Sequence, residues 1–117
     1  MNSYNILRDI EKLSDRVEPE ICLTMFDVRD GVDRLDRALV TLLAERLKYM
    51  HAAARIKRNR QAVRDNDRIE DVILKVLRHA KALGLPGNIV EPLWRDLIER
   101  SIQYELSVWD KRNGPVP

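Results

Sequence analysis

The sequence has few cysteine, glycine, proline and aromatic residues, and it has no long apolar run. It has one cysteine, four glycines, five prolines and few aromatic residues among 117. Low aromatic content disfavours a sandwich or barrel, and the lone Cys22 excludes an intrachain disulfide and suits a reducing compartment. No apolar run approaches the roughly 18 residues of a membrane span, and the first residues contain no signal-type apolar segment. We therefore expect a cytoplasmic protein with no membrane partner.

The charge balance and the motifs exclude several classes of function. Lys and Arg number 21 and Asp and Glu 19, giving a net charge of +2, which is not the basic excess of a nucleic-acid-binding protein. His51, His79 and Cys22 lack the spacing of metal ligands. The sequence has no Gly-rich phosphate loop and no arrangement typical of a catalytic triad. We expect no nucleic-acid partner, no metal and no cofactor.

Apolar periodicity predicts one long helix from Phe26 to Lys57. This stretch has no proline, and its apolar residues recur in steps of three and four, with one step of seven, at Val28, Val32, Leu35, Leu39, Leu42, Tyr49 and Ala53. A helix of this length extends about 48 Å, well beyond the roughly 27 Å diameter of a compact chain of this size. The helix needs partner surface elsewhere, and a second copy of the chain is the simplest source.

Two further helices complete an all-α prediction of a long, a short and a long helix. After a polar interruption over 58–67, Asp67 and Glu70 form a capping-box-like start for the second helix, which ends before Gly84. Its apolar face is predicted at Ile69, Val72, Ile73, Val76, Leu77 and Ala80. Asn88 is the predicted cap of the third helix, which ends near Asn113. The apolar face of the third helix is predicted at Val90, Leu93, Leu97, Ile98, Ile102, Leu106 and Trp109.

The start of the chain is predicted to be separate from this helical domain. Ile6, Ile10, Leu13 and Val17 follow helical spacing, so a short amphipathic helix is expected over 5–17, before Pro19. We divide the chain into an extension over 1–22 and a single domain over 23–117.

Four polar residues lie on predicted apolar faces. Arg46 and Lys57 are eleven residues apart on the first helix, so they project from one face about 16 Å apart. Ser101 and Glu105 share the apolar face of the third helix. One interpretation is structural, with Arg46 paired to Glu105 and Lys57 extended to solvent. The other is a cationic pocket for a small dianion.

Arg29 adds a constraint on any such pocket. It precedes Arg46 by 17 residues, or about 25 Å along one helix, so one chain cannot bring both to one small ligand. If Arg29 serves a site, that site belongs to a dimer partner. The alternative is an exposed arginine beside Asp30 and Asp33.

Three segments together resemble the all-helical AroQ class of chorismate mutases. They are VRDGVDRLDRALVTLLAERLKYMHAAARIK (28–57), VRDNDRIEDVI (63–73) and LWRDLIERSIQYE (93–105). The resemblance implies an intertwined homodimer with two shared sites. It also implies an isomerase that rearranges chorismate to prephenate in aromatic amino acid biosynthesis, without a cofactor.

The resemblance also implies roles for individual residues. Arg29 matches an arginine donated by the partner subunit, and Arg46 matches the in-chain arginine that binds a carboxylate of chorismate. Lys57 matches the lysine that contacts the ether oxygen. The remaining matches are two residues of the loop and second helix and two of the third helix: Asp65, Arg68, Ser101 and Glu105.

Two positions depart from the family pattern and leave alternatives open. Ile69 stands where many members have a glutamate that holds the ring hydroxyl, so Asp65 or Glu70 would have to serve. Glu105 stands where many bacterial members have glutamine, and a carboxyl donates a hydrogen bond only when protonated. The alternatives are an isochorismate pyruvate lyase on the same fold and a non-catalytic helical dimer.

Overall fold

The computed structural model describes residues 8, 10 and 12–114, and within this part of the chain it contains helices and no strand. The three long helices are α1 (Met25–Ile56), α2 (Asn66–Ala82) and α3 (Gly87–Asn113). Short 3-10 turns occupy Leu13–Asp15, Pro19–Ile21 and Arg60–Ala62. The all-α prediction and the order of long, short and long helices are confirmed. No helix in the described part of the chain is long and apolar enough to cross a bilayer.

The first of two compact units, 1–48, contains the start of the chain and most of α1. The helix predicted over 5–17 lies partly outside the described residues. Its described part ends in the turn Leu13–Asp15, and Val17 is not helical. Within this unit Arg34 Nη1 donates to the carbonyl oxygen of Lys12 at 3.3 Å. This bond ties the extension to α1.

Two reciprocal bonds explain why α1 begins at Met25. The backbone N–H of Asp27 donates to Thr24 Oγ1 at 3.2 Å. The Asp27 carboxylate in turn accepts from the backbone N–H of Leu23 at 3.1 Å. Such bonds satisfy donors that a helix start leaves without intrahelical partners.

The apolar stripe of α1 is uncovered in the single chain. Val28, Val32, Leu35 and Leu39 keep 40%, 49%, 42% and 55% of their surface exposed. A helix normally buries such a stripe, because each apolar side chain removed from water stabilises the fold. The stripe predicted from periodicity is therefore present, and this chain alone does not bury it.

The second unit, 49–117, is built on the packing of α2 against α3. Its core contains buried residues from the α1–α2 connection and from both helices, namely Val63, Ile73, Ile98 and Ile102. Partly buried apolar residues surround them: Ile69, Val72, Leu77, Trp94, Leu106 and Trp109. The predicted inner face of α2 is confirmed by the burial of Ile73 and Ala80.

Both predicted helix caps are wrong. Asp65, not Asp67, caps α2, since its side chain accepts from the backbone N–H of Arg68 at 3.1 Å. Glu70 does not complete a capping box because its carboxylate accepts two hydrogen bonds from Arg95, at 2.9 and 3.0 Å. For α3 the cap position is Pro86, which makes no side-chain capping bond, and Asn88 already lies inside the helix.

Candidate active site

A buried carboxylate and a lysine meet in the second unit. Lys57 follows the last residue of α1, and its backbone N–H continues the helical pattern by donating to the carbonyl of Ala53 at 2.9 Å. Glu105 lies on the buried face of α3. The Lys57 Nζ atom is 2.8 Å from Glu105 Oε2, and their side chains are 29% and 4% exposed. The pair therefore has one buried anion and one cation that water still reaches.

The geometry of this pair leaves the carboxylate incompletely satisfied. Glu105 Oε2 is fully buried, and no donor among the described residues approaches it with the angles of a hydrogen bond. We attribute the 2.8 Å contact with Lys57 to charge attraction, because a short distance with poor angles still gives a strong Coulomb interaction. Lys57 Nζ also lies 3.5 Å from the carbonyl oxygen of Val63. The ammonium thus has donor capacity beyond its partner carboxylate.

Ser101 extends the polar surface by one turn of α3. It is 5% exposed, and its hydroxyl donates to the carbonyl of Leu97 at 2.7 Å. Residues four apart lie on one helix face, so Ser101 and Glu105 interrupt the same apolar surface. The inward orientation expected for both residues is confirmed by their burial.

Asp65 and Arg68 lie on the exposed surface at the start of α2. Asp65 is engaged by the backbone of Arg68, whose side chain pairs with Asp71 at 2.7 Å. Hydrogen bonds from Lys75 and then Arg68 lower the pKa of Asp71. Within the described part of the chain, no hydrogen bond or ion pair joins Asp65 or Arg68 to Lys57 or Glu105. Their assignment to a substrate site stays a prediction.

The position of the missing glutamate is apolar in structure as well as in sequence. Ile69 packs against the core of the second unit. Glu70 points to a different partner, since the hydrogen bonds from Arg95 hold it on the surface and lower its pKa. Of the two substitutes considered for the glutamate, Glu70 is therefore already engaged elsewhere.

Arg29 and Arg46 belong to the first unit. Arg29 is exposed, and the neighbouring Asp30 is paired with Arg34 at 2.9 Å. Arg46 is half-buried. Both lie on the unbroken helix α1, so the expected separation of about 25 Å along its axis applies. A single copy of α1 cannot bring both guanidinium groups to one small ligand.

Residues beyond the predicted set hold the connection between α1 and α2. Arg60 pairs with Asp110 at 2.9 Å, and Arg64 pairs with Glu99 at 2.6 Å. These hydrogen-bonded contacts raise the pKa of each arginine. The sequence pattern predicts only a polar interruption here, because the carboxylate partners lie far away in the chain.

Trp109 contacts the lysine itself. The indole Nε1–H donates to the backbone carbonyl of Lys57 at 3.2 Å. The signal for this contact in the sequence is the spacing of Trp109, which follows Glu105 by four residues and lies on the same face of α3. Periodicity identified it only as an apolar residue of that stripe.

Comparison with known proteins gives a family and two relatives. Residues 28–106 match the family described as chorismate mutase type II. The chain is 30% identical over 96 residues to the isochorismate pyruvate lyase of Pseudomonas aeruginosa, covering 82% of this chain and 95% of that protein. It is 32% identical over 84 residues to the bifunctional chorismate mutase/prephenate dehydratase of Buchnera aphidicola subsp. Acyrthosiphon pisum, covering 71% of this chain and 22% of that protein.

The helical fold and a match over more than half of the sequence define the class of protein. The chain belongs to the chorismate mutase type II family. The resemblance drawn from the three sequence segments is thereby confirmed. The two relatives carry different activities in their names, one a lyase and one a mutase.

Proposed function

We propose that this protein is a chorismate mutase that rearranges chorismate to prephenate in aromatic amino acid biosynthesis. The observation that carries the proposal is the pairing of Lys57 with buried Glu105, at 2.8 Å, inside the segment that matches the mutase family. Both residues were singled out by their place on apolar faces. A cation with spare donors suits a reaction that develops negative charge on an ether oxygen, and the buried carboxylate beside it keeps that cation in place.

The proposed reaction needs positioning and charge rather than proton transfer. One carbon–oxygen bond breaks while one carbon–carbon bond forms within a single molecule. Lys57 donates to the ether oxygen as that atom gains negative charge, and Glu105 assists as a donor when protonated. Holding the enolpyruvyl arm over the ring removes the entropy cost of reaching the reactive conformer. Ser101, Asp65 and Arg68 complete the proposed polar surround.

Arg46 and Arg29 are the proposed clamps for the two carboxylates of chorismate. Their separation along α1 requires Arg29 to come from a second copy, so the proposed enzyme is a homodimer with shared sites. The uncovered apolar stripe of α1 supports this assembly, since a second copy would remove it from water. Arg29 also lies on the exposed surface of its own chain, where a partner can reach it.

The test of activity is prephenate formation from chorismate by the purified full chain. Lys57→Ala and Arg46→Ala should each lower kcat/KM by at least about 100-fold, as expected for loss of one donor to a charged transition state. Lys48→Ala is the matched control, because Lys48 lies on the same helix and pairs with Glu45 on the surface. Prephenate formation unaffected by the first two variants would refute the site.

The shared site has its own test. Arg29→Ala and Arg46→Ala chains are mixed under conditions that allow subunit exchange, which mass spectrometry of isotope-labelled chains verifies. Heterodimers should regain activity, because one of their two sites then has both arginines. No recovery in verified heterodimers would place the two arginines in different roles.

An isochorismate pyruvate lyase is the second candidate. It is favoured by the 30% identity to the Pseudomonas aeruginosa lyase over 95% of that protein, and by the apolar Ile69. Parallel assays of salicylate release from isochorismate and of prephenate formation from chorismate distinguish the two. If neither substrate turns over and a bicyclic dicarboxylate mimic of the transition state gives no thermal stabilisation, the protein is a non-catalytic helical dimer.

A further inference from the structure

The carbonyl that ends α1 has a partner from a distant part of the chain. The last carbonyls of a helix have no N–H donor within the helix, and the Lys57 carbonyl lies just beyond the final residue, Ile56. Trp109 donates its indole N–H to this carbonyl at 3.2 Å. The indole ring is half-buried and packs against the core of the second unit. The donor is thus held in place by its own packing.

One turn of α3 contacts Lys57 at two places. Glu105 faces the ammonium at 2.8 Å, and Trp109, four residues later, bonds the backbone carbonyl of the same lysine. Residues four apart project from one face of a helix. The ammonium and the backbone carbonyl of Lys57 are therefore both held by α3.

We propose that Trp109 is a positioning residue that fixes Lys57 for catalysis through its backbone. This inference rests on the proposed function, in which the Lys57 ammonium meets the ether oxygen. A long lysine side chain has many rotamers, so the position of its ammonium depends on where its backbone is anchored. Trp109 supplies that anchor, and Glu105 selects the rotamer.

The other contacts of the connection do not replace this anchor. The Arg60–Asp110 and Arg64–Glu99 pairs have side chains between 40% and 48% exposed, where ion pairs contribute little. They also act on residues three and seven positions beyond Lys57. Among the described residues, the Trp109 indole is the side chain that hydrogen-bonds the Lys57 backbone.

The hydrogen bond is tested first without any substrate. The chain has two tryptophans, so Trp109→Phe and Trp94→Phe assign the two indole N–H signals in a nitrogen-15 NMR spectrum. The Trp109 indole proton should exchange with solvent at least about tenfold more slowly than that of Trp94, which makes no hydrogen bond in the described part of the chain. Equal exchange rates would overturn the inference, whatever the activity of the enzyme.

Kinetics then test the consequence for catalysis. Trp109→Phe keeps an aromatic ring in the core and removes the donor, so kcat should fall about tenfold while KM changes less than about threefold. Trp94→Phe removes an indole from the same core and should leave kcat within about twofold. A similar loss in both variants would show a general packing effect and refute a positioning role.

A double-variant comparison separates positioning from stability. In a Lys57→Ala background Trp109→Phe should cost no further kcat, because the group it positions is already gone. An equal loss with and without Lys57 would overturn the inference. If the wild type converts neither chorismate nor isochorismate, the proposed function fails instead. The indole exchange experiment still decides whether the contact exists, because Trp94→Phe alone assigns both indole signals should Trp109→Phe not fold.

Discussion

Replacing Lys57 by methionine should destabilise the protein far more than replacing Glu105 by glutamine. Lys57→Met keeps the side-chain volume but leaves a carboxylate that is 4% exposed without its counter-ion. Breaking a fully buried pair in this way costs about 3–5 kcal/mol. Because the Lys57 side chain is 29% exposed, water can partly solvate the remaining charge, and we expect a loss of about 2 kcal/mol.

The reverse change leaves a cation rather than an anion. In Glu105→Gln the Lys57 ammonium can turn toward the water that already reaches it, and the amide fills the space of the carboxylate. The expected cost is below about 1 kcal/mol. The double variant removes both charges, so it should recover at least about 1 kcal/mol of the sum of the single losses.

Urea denaturation at neutral pH, at one fixed protein concentration, measures these free energies of unfolding. Lys48→Met is the control for removing a lysine that is paired on the surface. Equal losses in Lys57→Met and Glu105→Gln, or no recovery in the double variant, would refute the asymmetry in burial on which the prediction depends.

Two further predictions concern pH and the core. The hydrogen bond from Arg64 lowers the pKa of Glu99 below its ordinary 4.5, so this pair stabilises the fold above that pH and ceases to do so as pH falls through the lowered value. Glu99→Gln should therefore melt below the wild type at neutral pH, by a difference that shrinks as the pH falls below 4.5, and a difference that does not shrink would contradict this. Ile102→Ala, at a position 6% exposed, should lower the free energy of unfolding by about 2–4 kcal/mol in urea, and a loss under about 1 kcal/mol would show that the core repacks.

The long elements of this fold are readable from the sequence, and their ends are less so. The predicted first helix, Phe26 to Lys57, is displaced by one residue from the observed Met25–Ile56. The apolar pattern of this helix continues over many residues without a proline, so many positions support the same prediction. A helix cap depends on a single side chain, and other side chains compete with the backbone for its hydrogen bonds. Arg95 engages Glu70, which a local rule had assigned to the backbone.

The rotation of α3 shows a second limit of periodicity. Periodicity predicts Leu93 on the inner face, yet it is 61% exposed, and Trp94 packs against the core instead. Trp94 lies four residues after buried Val90 and four before buried Ile98, within about 40° of each around the helix. Leu93 is about 100° away from Trp94. Steps of three and four fit a stripe equally well, and only the packed neighbours select between them.

The candidate site was predictable as a set of inward polar residues but not as a set of pairs. Burial of Ser101 and Glu105 followed from their spacing with apolar neighbours. The structural interpretation predicts Lys57 extended to solvent, whereas Lys57 Nζ lies 2.8 Å from Glu105 Oε2. The pairing of Glu105 with Arg46 stays a prediction. The bond from Trp109 to Lys57 depends on where two distant segments meet, which no local pattern contains.

The uncovered stripe of α1 can make the stability of the fold depend on protein concentration. The longest helix leaves Val28, Val32, Leu35 and Leu39 exposed to water. The single chain therefore does not gain the full stabilisation that burial of these apolar side chains would give. If a second copy supplies the missing cover, folding and association share one equilibrium, and the melting temperature rises with protein concentration. The amount of enzyme present would then set the fraction of chains that hold a complete site, and dilution alone would switch activity off.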